Sequence, residues 1–212
     1  MHTIPGAAKQ PNRVWVIVRP SAVGPASGLL NHRLFELTLK TMGIDIRQAT
    51  PNDAPAACGL LRRSIEEGCL QDHCGRPEIL QAWLGNKTTQ NVLGWLSSPS
   101  NFVVVAERDG EVVGLALLNQ AGKVALCYVR PDLLRNGVGR ALVCALEVQA
   151  RAWNIRKIHM QSPGSASGFF ERLGYVNAGK DKACFGLECD FLWKQLDAET
   201  APARKRFCNC SQ

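Results

Sequence analysis

No stretch of this 212-residue sequence approaches the ~18 consecutive apolar residues that a membrane-spanning helix requires. It has no collagen period, no heptad series and no solenoid repeat. The N-terminus lacks the apolar core of a secretory signal, because Val14 to Val18 supplies only five such residues. It is poor in acids and holds arginines, as transit peptides do, yet Pro5, Pro11, Pro20 and Pro25 break any long amphipathic helix there. What is left is an ordinary globular composition, 46% hydrophobic and 20% charged, in a chain of 23.1 kDa. One domain of this size, with tails, buries a core without disulfides or metals.

The net charge is +7, but residues 1–43 carry +4 of it and residues 198–212 another +2, leaving +1 on 44–197. A nucleic-acid reader needs a basic stripe on its folded surface. Here the excess sits in two flanks, so a membrane or nucleic-acid partner is not expected, and Arg204-Lys205-Arg206 reads as a solvated tail. A binder acting through that basic tail stays as a distant alternative. The nine cysteines, an odd number, fit reduced thiols and a cytoplasmic location better than a disulfide framework.

Residues 1–43 read as an irregular, Gly- and Pro-rich extension, and Met42 is a candidate start codon. Residues 44–197 read as the folded domain, and 198–212 as a basic, disordered tail. Within the domain, 44–49 alternates as a half-buried strand should. Thr50 to Asp53 resembles a helix start, and helical spacing continues over 54–67, 77–84 and 90–96. Strands over 102–107 and 111–118 flank an Asp109-Gly110 turn, and Asn119 to Gly122 turns the chain into 124–129. A strong helix is predicted over 138–153, then a strand over 155–160 and a short helix over 169–173 ended by Gly174. The last strands are predicted at 175–176 and 185–193. This order describes a mixed α/β sheet flanked by helices.

The most informative stretch is Val124-Ala-Leu-Cys-Tyr-Val-Arg-Pro-Asp-Leu-Leu-Arg-Asn-Gly-Val-Gly-Arg-Ala-Leu142. Pro131 ends the strand because it has no N–H for the ladder. Gly137 and Gly139 flank Val138 where the helix opens, so the main chain can turn sharply and a ligand can approach it. The unpaired amides of a helix N-terminus, with Arg135 and Arg140 beside them, form a cradle for pyrophosphate. A P-loop requires Gly-Lys-Ser/Thr, and Arg140-Ala141 does not supply it. A dinucleotide fingerprint requires a small residue where Leu142 stands, and a parallel unit rather than an antiparallel meander.

Taken with this loop, several further motifs in order resemble the GNAT family of N-acetyltransferases. They are Arg-Gln-Ala-Thr-Pro-Asn-Asp-Ala-Pro-Ala near the start, Ser165-Ala-Ser-Gly-Phe-Phe-Glu-Arg-Leu-Gly-Tyr175, and the closing Phe191-Leu-Trp-Lys-Gln-Leu196. Ser64 to His73, with Trp83 to Thr88, is similar to a bacterial-type subgroup. The resemblance spans Ile44 to Leu196 and implies an α/β (α+β) acyl-CoA N-acyltransferase fold, a mixed, mostly antiparallel sheet of six to seven strands. It implies acetyl-CoA as co-substrate, no metal, and a primary amine acceptor on a small molecule or peptide. It further implies that the cofactor lies in a V-shaped gap between strands 124–129 and 155–160. Backbone groups of Tyr128 and Val129 would meet the pantetheine arm. Amides of Arg135, Asn136, Gly137, Val138, Gly139 and Arg140 would hold the pyrophosphate, and Ser165 would donate to the arm. A β-bulge in strand 124–129 would aim an N–H at the thioester carbonyl.

The sequence departs from the family at four places. Leu134 stands where Gln or Arg is usual, and Ser165 where Asn often stands. Phe170 stands where a tyrosine often serves as general acid, and Met160-Gln161-Ser162 lacks the carboxylate that often serves as base. Tyr128 and Glu107 are the candidate catalytic residues, with Asp72, His73 or a water relay as other bases. A domain that binds acyl-CoA without turnover is the alternative. The oligomeric state, homodimer included, is open.

Other conspicuous residues have plainer readings. Cys69, His73 and Cys74 match no common zinc template. Cys208 and Cys210 read as exposed thiols in the tail, and Cys127 and Cys144 as apolar fillers facing the core. Gly164 to Gly168 mimics a nucleophile elbow but centres on Ala166. His159, Trp83, Trp95, Trp153 and Trp193 read as packing residues.

Overall fold

The computed structural model of the chain describes residues 43–181 and 184–196. The expected extension before Gly43 and the basic tail, with Cys208, Cys210 and Arg204 to Arg206, lie outside the described residues.

Strand β1 (Ile44–Gln48) leads through a tight turn into helix α1 (Ala54–Arg63), which continues as a π-turn, Ser64–Gly68. Three short helices follow: α2 (Leu70–His73), α3 (Pro77–Leu84) and α4 (Thr89–Ser97). Then come β2 (Asn101–Arg108), β3 (Glu111–Asn119), β4 (Val124–Val129) and the long helix α5 (Val138–Ala152). The described residues close with β5 (Lys157–Pro163), α6 (Gly164–Glu171), β6 (Val176–Asp181) and β7 (Cys189–Gln195).

The seven strands form two antiparallel sheets, β1-β2-β3-β4 and β5-β7-β6. The expected α/β fold with mostly antiparallel strands is what forms, and its sheet is divided between β4 and β5. Among the described residues a single parallel bridge, Lys123 with His159, joins the halves.

Burial explains why β2 and β3 read as continuous apolar runs. Val104 and Ala106 face the core under α5, whereas Val103 and Val105 face the core under α1 and α4. Both faces are covered, so no polar alternation survives. On α5, Val138, Leu142, Leu146 and Ala150 are fully buried. The two leucines contribute about 2 kcal/mol each by leaving water. Gly114 on β3 lets this helix sit close: a Cβ there would come within 3.0 Å of Leu142 and 3.2 Å of Val138. The same contact fixes where the N-terminus of α5 lies relative to the end of β4.

Several boundaries differ from expectation, each for a local reason. The strand predicted at 155 begins at Lys157, because the Ile155 amide caps α5 by donating to the Ala150 carbonyl at 2.8 Å, with Asn154 left-handed at φ 58°. The helix predicted at 169–173 is α6, which starts at Gly164. The last strand starts at Cys189, after a turn in which Phe185 is left-handed at φ 63°. The preceding one runs over Val176–Asp181. Cys144 is exposed rather than core-facing, whereas Glu147 is buried and accepts from Lys194 Nζ at 2.7 Å.

Candidate active site

The site begins where the two sheets part. The His159 amide donates to the Gly122 carbonyl at 2.9 Å, and beyond that bond β4 and β5 have no ladder between them. Gly122 is required there twice over: its φ is 80°, and a Cβ would meet the Lys157 carbonyl oxygen at 2.7 Å.

Strand β4 carries an irregularity next to this point. Leu126 faces Leu117 and Val124 faces Leu118, so Ala125 is an extra residue, a bulge. Toward the other end of β4, the Arg130 amide donates to the Val113 carbonyl at 2.9 Å. Antiparallel alternation then directs the peptide groups of Tyr128 to Leu115, and those of Cys127 and Val129 to the open edge. The Val129 carbonyl accepts from Ser64 Oγ at 3.1 Å, which seats the π-turn against this edge.

After Pro131 the chain makes the turn that the glycines foreshadowed. Arg135 and Gly137 are both left-handed, at φ 65° and 84°. The first closed bond of α5 runs from the Ala141 amide to the Gly137 carbonyl at 3.0 Å. The amides of Val138, Gly139 and Arg140 therefore have no acceptor within the helix. A Cβ on Gly139 would meet Phe169 of α6 at 3.1 Å, so this glycine brings α6 close to the cradle. Arg135, Asn136, Gly137, Val138, Gly139 and Arg140 are thus gathered at one helix N-terminus beside the end of β4.

A cavity of about 370 Å³ opens between the sheets, on the face of β4 away from α5. Leu126 and Tyr128 turn toward that face, whereas Cys127 and Val129 pack on the α5 side. Its wall includes the bulged Ala125, Tyr128, Gln161, and aromatic groups from α3 and α4. Tyr128 thus reaches the site through its side chain, and its hydroxyl accepts the Trp83 indole N–H at 3.2 Å. An indole nitrogen only donates, so in this contact the phenol oxygen is the acceptor. Gln161 accepts from Lys123 Nζ at 3.0 Å and donates to Asp181 at 2.7 Å.

The other candidates lie elsewhere. Glu107 sits on β2, with β3 between it and β4, and accepts from Arg47 Nε at 2.6 Å. Asp72 accepts from the Ser165 amide at 3.1 Å and from its hydroxyl at 2.5 Å, capping α6. Ser165 is therefore at the helix start, held by Asp72. His73 is buried, and its Nδ1 accepts the Gly75 amide at 3.1 Å. Phe170 is a core residue, with edge contacts to Phe169 and Tyr175 at 4.9 and 5.6 Å. Burial pushes the thiols of Cys69 and Cys127 up to about 12, so both stay protonated and poorly nucleophilic. Among the described residues, no three His, Cys, Asp or Glu side chains converge as a metal site would. No helix among them is long and apolar enough to cross a membrane.

Lys87, Lys123 and Ser64 carry no functional signal in the sequence. Lys87 lies between two helices without any periodic signal, and the π-turn that points Ser64 at β4 has no local motif.

A family model described as an acetyltransferase (GNAT) domain matches residues 71–188. Among solved structures, a GCN5-related N-acetyltransferase from Rhodopseudomonas palustris is similar at 26% identity and a TM-score of 0.65, over 72% of this chain and 95% of that one. The PaiA N-acetyltransferase of Thermoplasma acidophilum, solved with coenzyme A, shares the fold at 17% identity and a TM-score of 0.62, over 73% and 99%. So does yncA of Salmonella typhimurium, solved with its cofactor acetyl-CoA, at 22% identity and a TM-score of 0.57, over 76% and 99%. No curated protein sequence matches significantly.

Proposed function

The chain belongs to the GNAT acetyltransferase family, and from that premise we propose that it moves an acetyl group from acetyl-CoA to a primary amine of a small molecule or peptide by direct attack. The observation that carries this reading is the alignment of three main-chain features: the bulge at Ala125, the β4 edge toward which the Cys127 and Val129 amides point, and the first amides of α5, to which the helix itself supplies no acceptor. A pyrophosphate suits the amides, an extended amide-bearing arm suits the edge, and a thioester carbonyl suits a donor at the bulge. Coenzyme A and acetyl-CoA in the two related structures support the same ligand.

In this reading Arg135, Asn136, Gly137, Val138, Gly139 and Arg140 hold the pyrophosphate, and Val129 pairs with the pantetheine arm. Ser165 meets the arm once Asp72 releases it. The acceptor enters from the opposite face, through the cavity. Its nitrogen bonds to the thioester carbon and the carbon–sulfur bond breaks. Tyr128 gives its proton to the departing sulfur, water takes the proton from nitrogen, and that proton returns to the tyrosinate, so the net transfer is from amine to sulfur. The half-buried Cys127 and Cys69, both kept protonated by desolvation, support direct attack over an acyl-cysteine route. Fixing both reactants supplies most of the acceleration. The free thiols of Cys58, Cys69, Cys74, Cys127 and Cys144 suit a reducing cytoplasm.

An acetyl-CoA thermal-shift titration, followed by amine-dependent thiol release, tests the proposal. The expected result is a saturable shift that Gly137→Glu abolishes, since a carboxylate then occupies phosphate space, together with thiol release on adding an amine. A folded Gly137→Glu protein that still responds to acetyl-CoA refutes the cradle. Binding without release over a broad amine panel instead supports a domain that has lost turnover, in line with Phe170 in the core and Gln161 tied between Lys123 and Asp181.

A further inference from the structure

The wall of the cavity is chemically one-sided. Among the described residues it contains two lysines, Lys87 and Lys123, and no aspartate or glutamate. Asp181 lies behind Gln161 and is not part of the wall. Resting on the acetyltransferase reading above, we propose that the acceptor is a small amine that also carries a carboxylate, an amino-acid-like molecule, held by its anionic group against Lys87 and Lys123.

Lys87 is placed as a fixed charge. Only 3% of it is exposed. Its amide donates to the Leu84 carbonyl at 2.9 Å, and its own carbonyl accepts from Arg62 at 3.3 Å and from the Cys58 thiol at 3.2 Å. Both ends of the residue are anchored, because the ammonium donates to the Trp83 carbonyl at 3.3 Å and to the Asn86 side-chain oxygen. It also lies 4.9 Å from the Phe185 ring centre and 5.8 Å from that of Trp95. Those ring faces are where a cationic ligand would be drawn in, and the protein's own ammonium already occupies them. A polyamine or lysine-rich peptide would bring further positive charge into a wall that offers it no carboxylate.

The lysines stand apart from the nucleotide cradle. They line the face of β4 away from α5, whereas the cradle lies at the α5 N-terminus. They therefore act on the second substrate. Positive charge there has two effects on an amino acid. It attracts the carboxylate, and it lowers the affinity of the nearby amine for a proton, so more of the amine is in the attacking form. That second effect does part of the work of a general base in a site where Gln161 replaces a carboxylate. The apolar wall formed by Trp83, Trp95 and Leu117 favours an amino acid with an apolar or aromatic side chain.

The test compares matched pairs under saturating acetyl-CoA: phenylalanine against phenethylamine, tryptophan against tryptamine, and spermidine as the polycation. The expected result is a kcat/KM at least about tenfold higher for each amino acid than for its decarboxylated partner, and little transfer to spermidine. Lys87→Met and Lys123→Met should each raise KM for the amino acid about tenfold or more, and Lys87→Arg should restore part of the preference. The wild-type ratio decides the matter even if the buried Lys87→Met protein fails to fold. Preference for the amines or spermidine overturns the acceptor assignment alone, and no transfer to any amine despite acetyl-CoA binding overturns it together with the transferase reading. Absence of the acetyl-CoA thermal shift overturns the reading beneath it instead.

Discussion

His159 donates its amide to the Gly122 carbonyl at 2.9 Å, and this bond is the hinge of the V between the sheets. It and the Lys123–His159 bridge tie the two sheets together. Downstream, β4 keeps an open edge and a bulge, and a cavity forms. The contact explains why a turn residue, remote from the glycine-rich loop, matters to the same site.

Gly122→Ala should cost about 2–4 kcal/mol, combining left-handed strain with a backbone clash that no side-chain motion relieves. The clashing atom is the Lys157 carbonyl oxygen, 2.7 Å from the added Cβ. For a chain of this size the thermal midpoint should fall by about 5–10 °C. Gly110→Ala is the matched control: its φ is also 80°, but a Cβ there meets nothing within 4 Å. Equal midpoints for the two variants would remove the hinge from this account.

Tyr128→Phe should lower kcat about a hundredfold while leaving the KM for acetyl-CoA within about twofold, because the hydroxyl is assigned to proton delivery and not to cofactor binding. Steady-state thiol release at varied acetyl-CoA checks both quantities. A variant with the wild-type kcat would leave the Trp83 contact of this hydroxyl, at 3.2 Å, as a packing feature only.

Local constraints were readable in the sequence, and distant ones were not. Pro131, Gly137 and Gly139 each impose a conformation on their own few residues, so the strand, turn and helix at 124–153 could be placed closely. The start of α6 was missed because Gly164-Ser-Ala-Ser-Gly168 has the composition of a loop. What caps that helix is Asp72, 93 positions away in the chain. The inward face of α5 was misjudged for a related reason. Glu147 looks like a solvent residue until Lys194 of β7 neutralises it, and Cys144 looks like a core filler although it lies on the exposed side of α5. The lysines of the cavity had no signal at all, since only the packing of α3 and α4 on β4 brings them to one wall.

Phe170→Tyr should not restore a general acid. Phe170 is buried against Phe169 and Tyr175, so an added hydroxyl enters apolar surroundings. An unpaired buried hydroxyl costs about 1–3 kcal/mol. The expected outcome is a lower urea midpoint at unchanged m, with kcat no higher than wild type. A clear gain in kcat would mean that this ring reaches the departing sulfur.

Asp53 shows how the entry to the fold depends on pH. Its carboxylate accepts two bonds from the Arg47 guanidinium, at 2.8 and 2.9 Å, and one from the Thr50 amide at 2.7 Å. The Arg47 bonds are the largest cause that holds this carboxyl at about 2, below the ordinary 3.8. Between those two values the unfolded chain binds more protons than the folded one, so stability rises with pH through that window. The contribution is complete above about pH 5 and is lost as the pH falls toward about 2. Arg47 is partly solvated, which reduces the contribution to roughly 1–2 kcal/mol. Asp53→Asn should therefore lower stability by that amount at neutral pH and approach the wild type near pH 2, when urea midpoints are compared at both. The Arg47 bond to Glu107 remains in the variant, so β1 should stay paired with β2. A variant as stable as wild type at neutral pH would show that this turn forms without its charge pair.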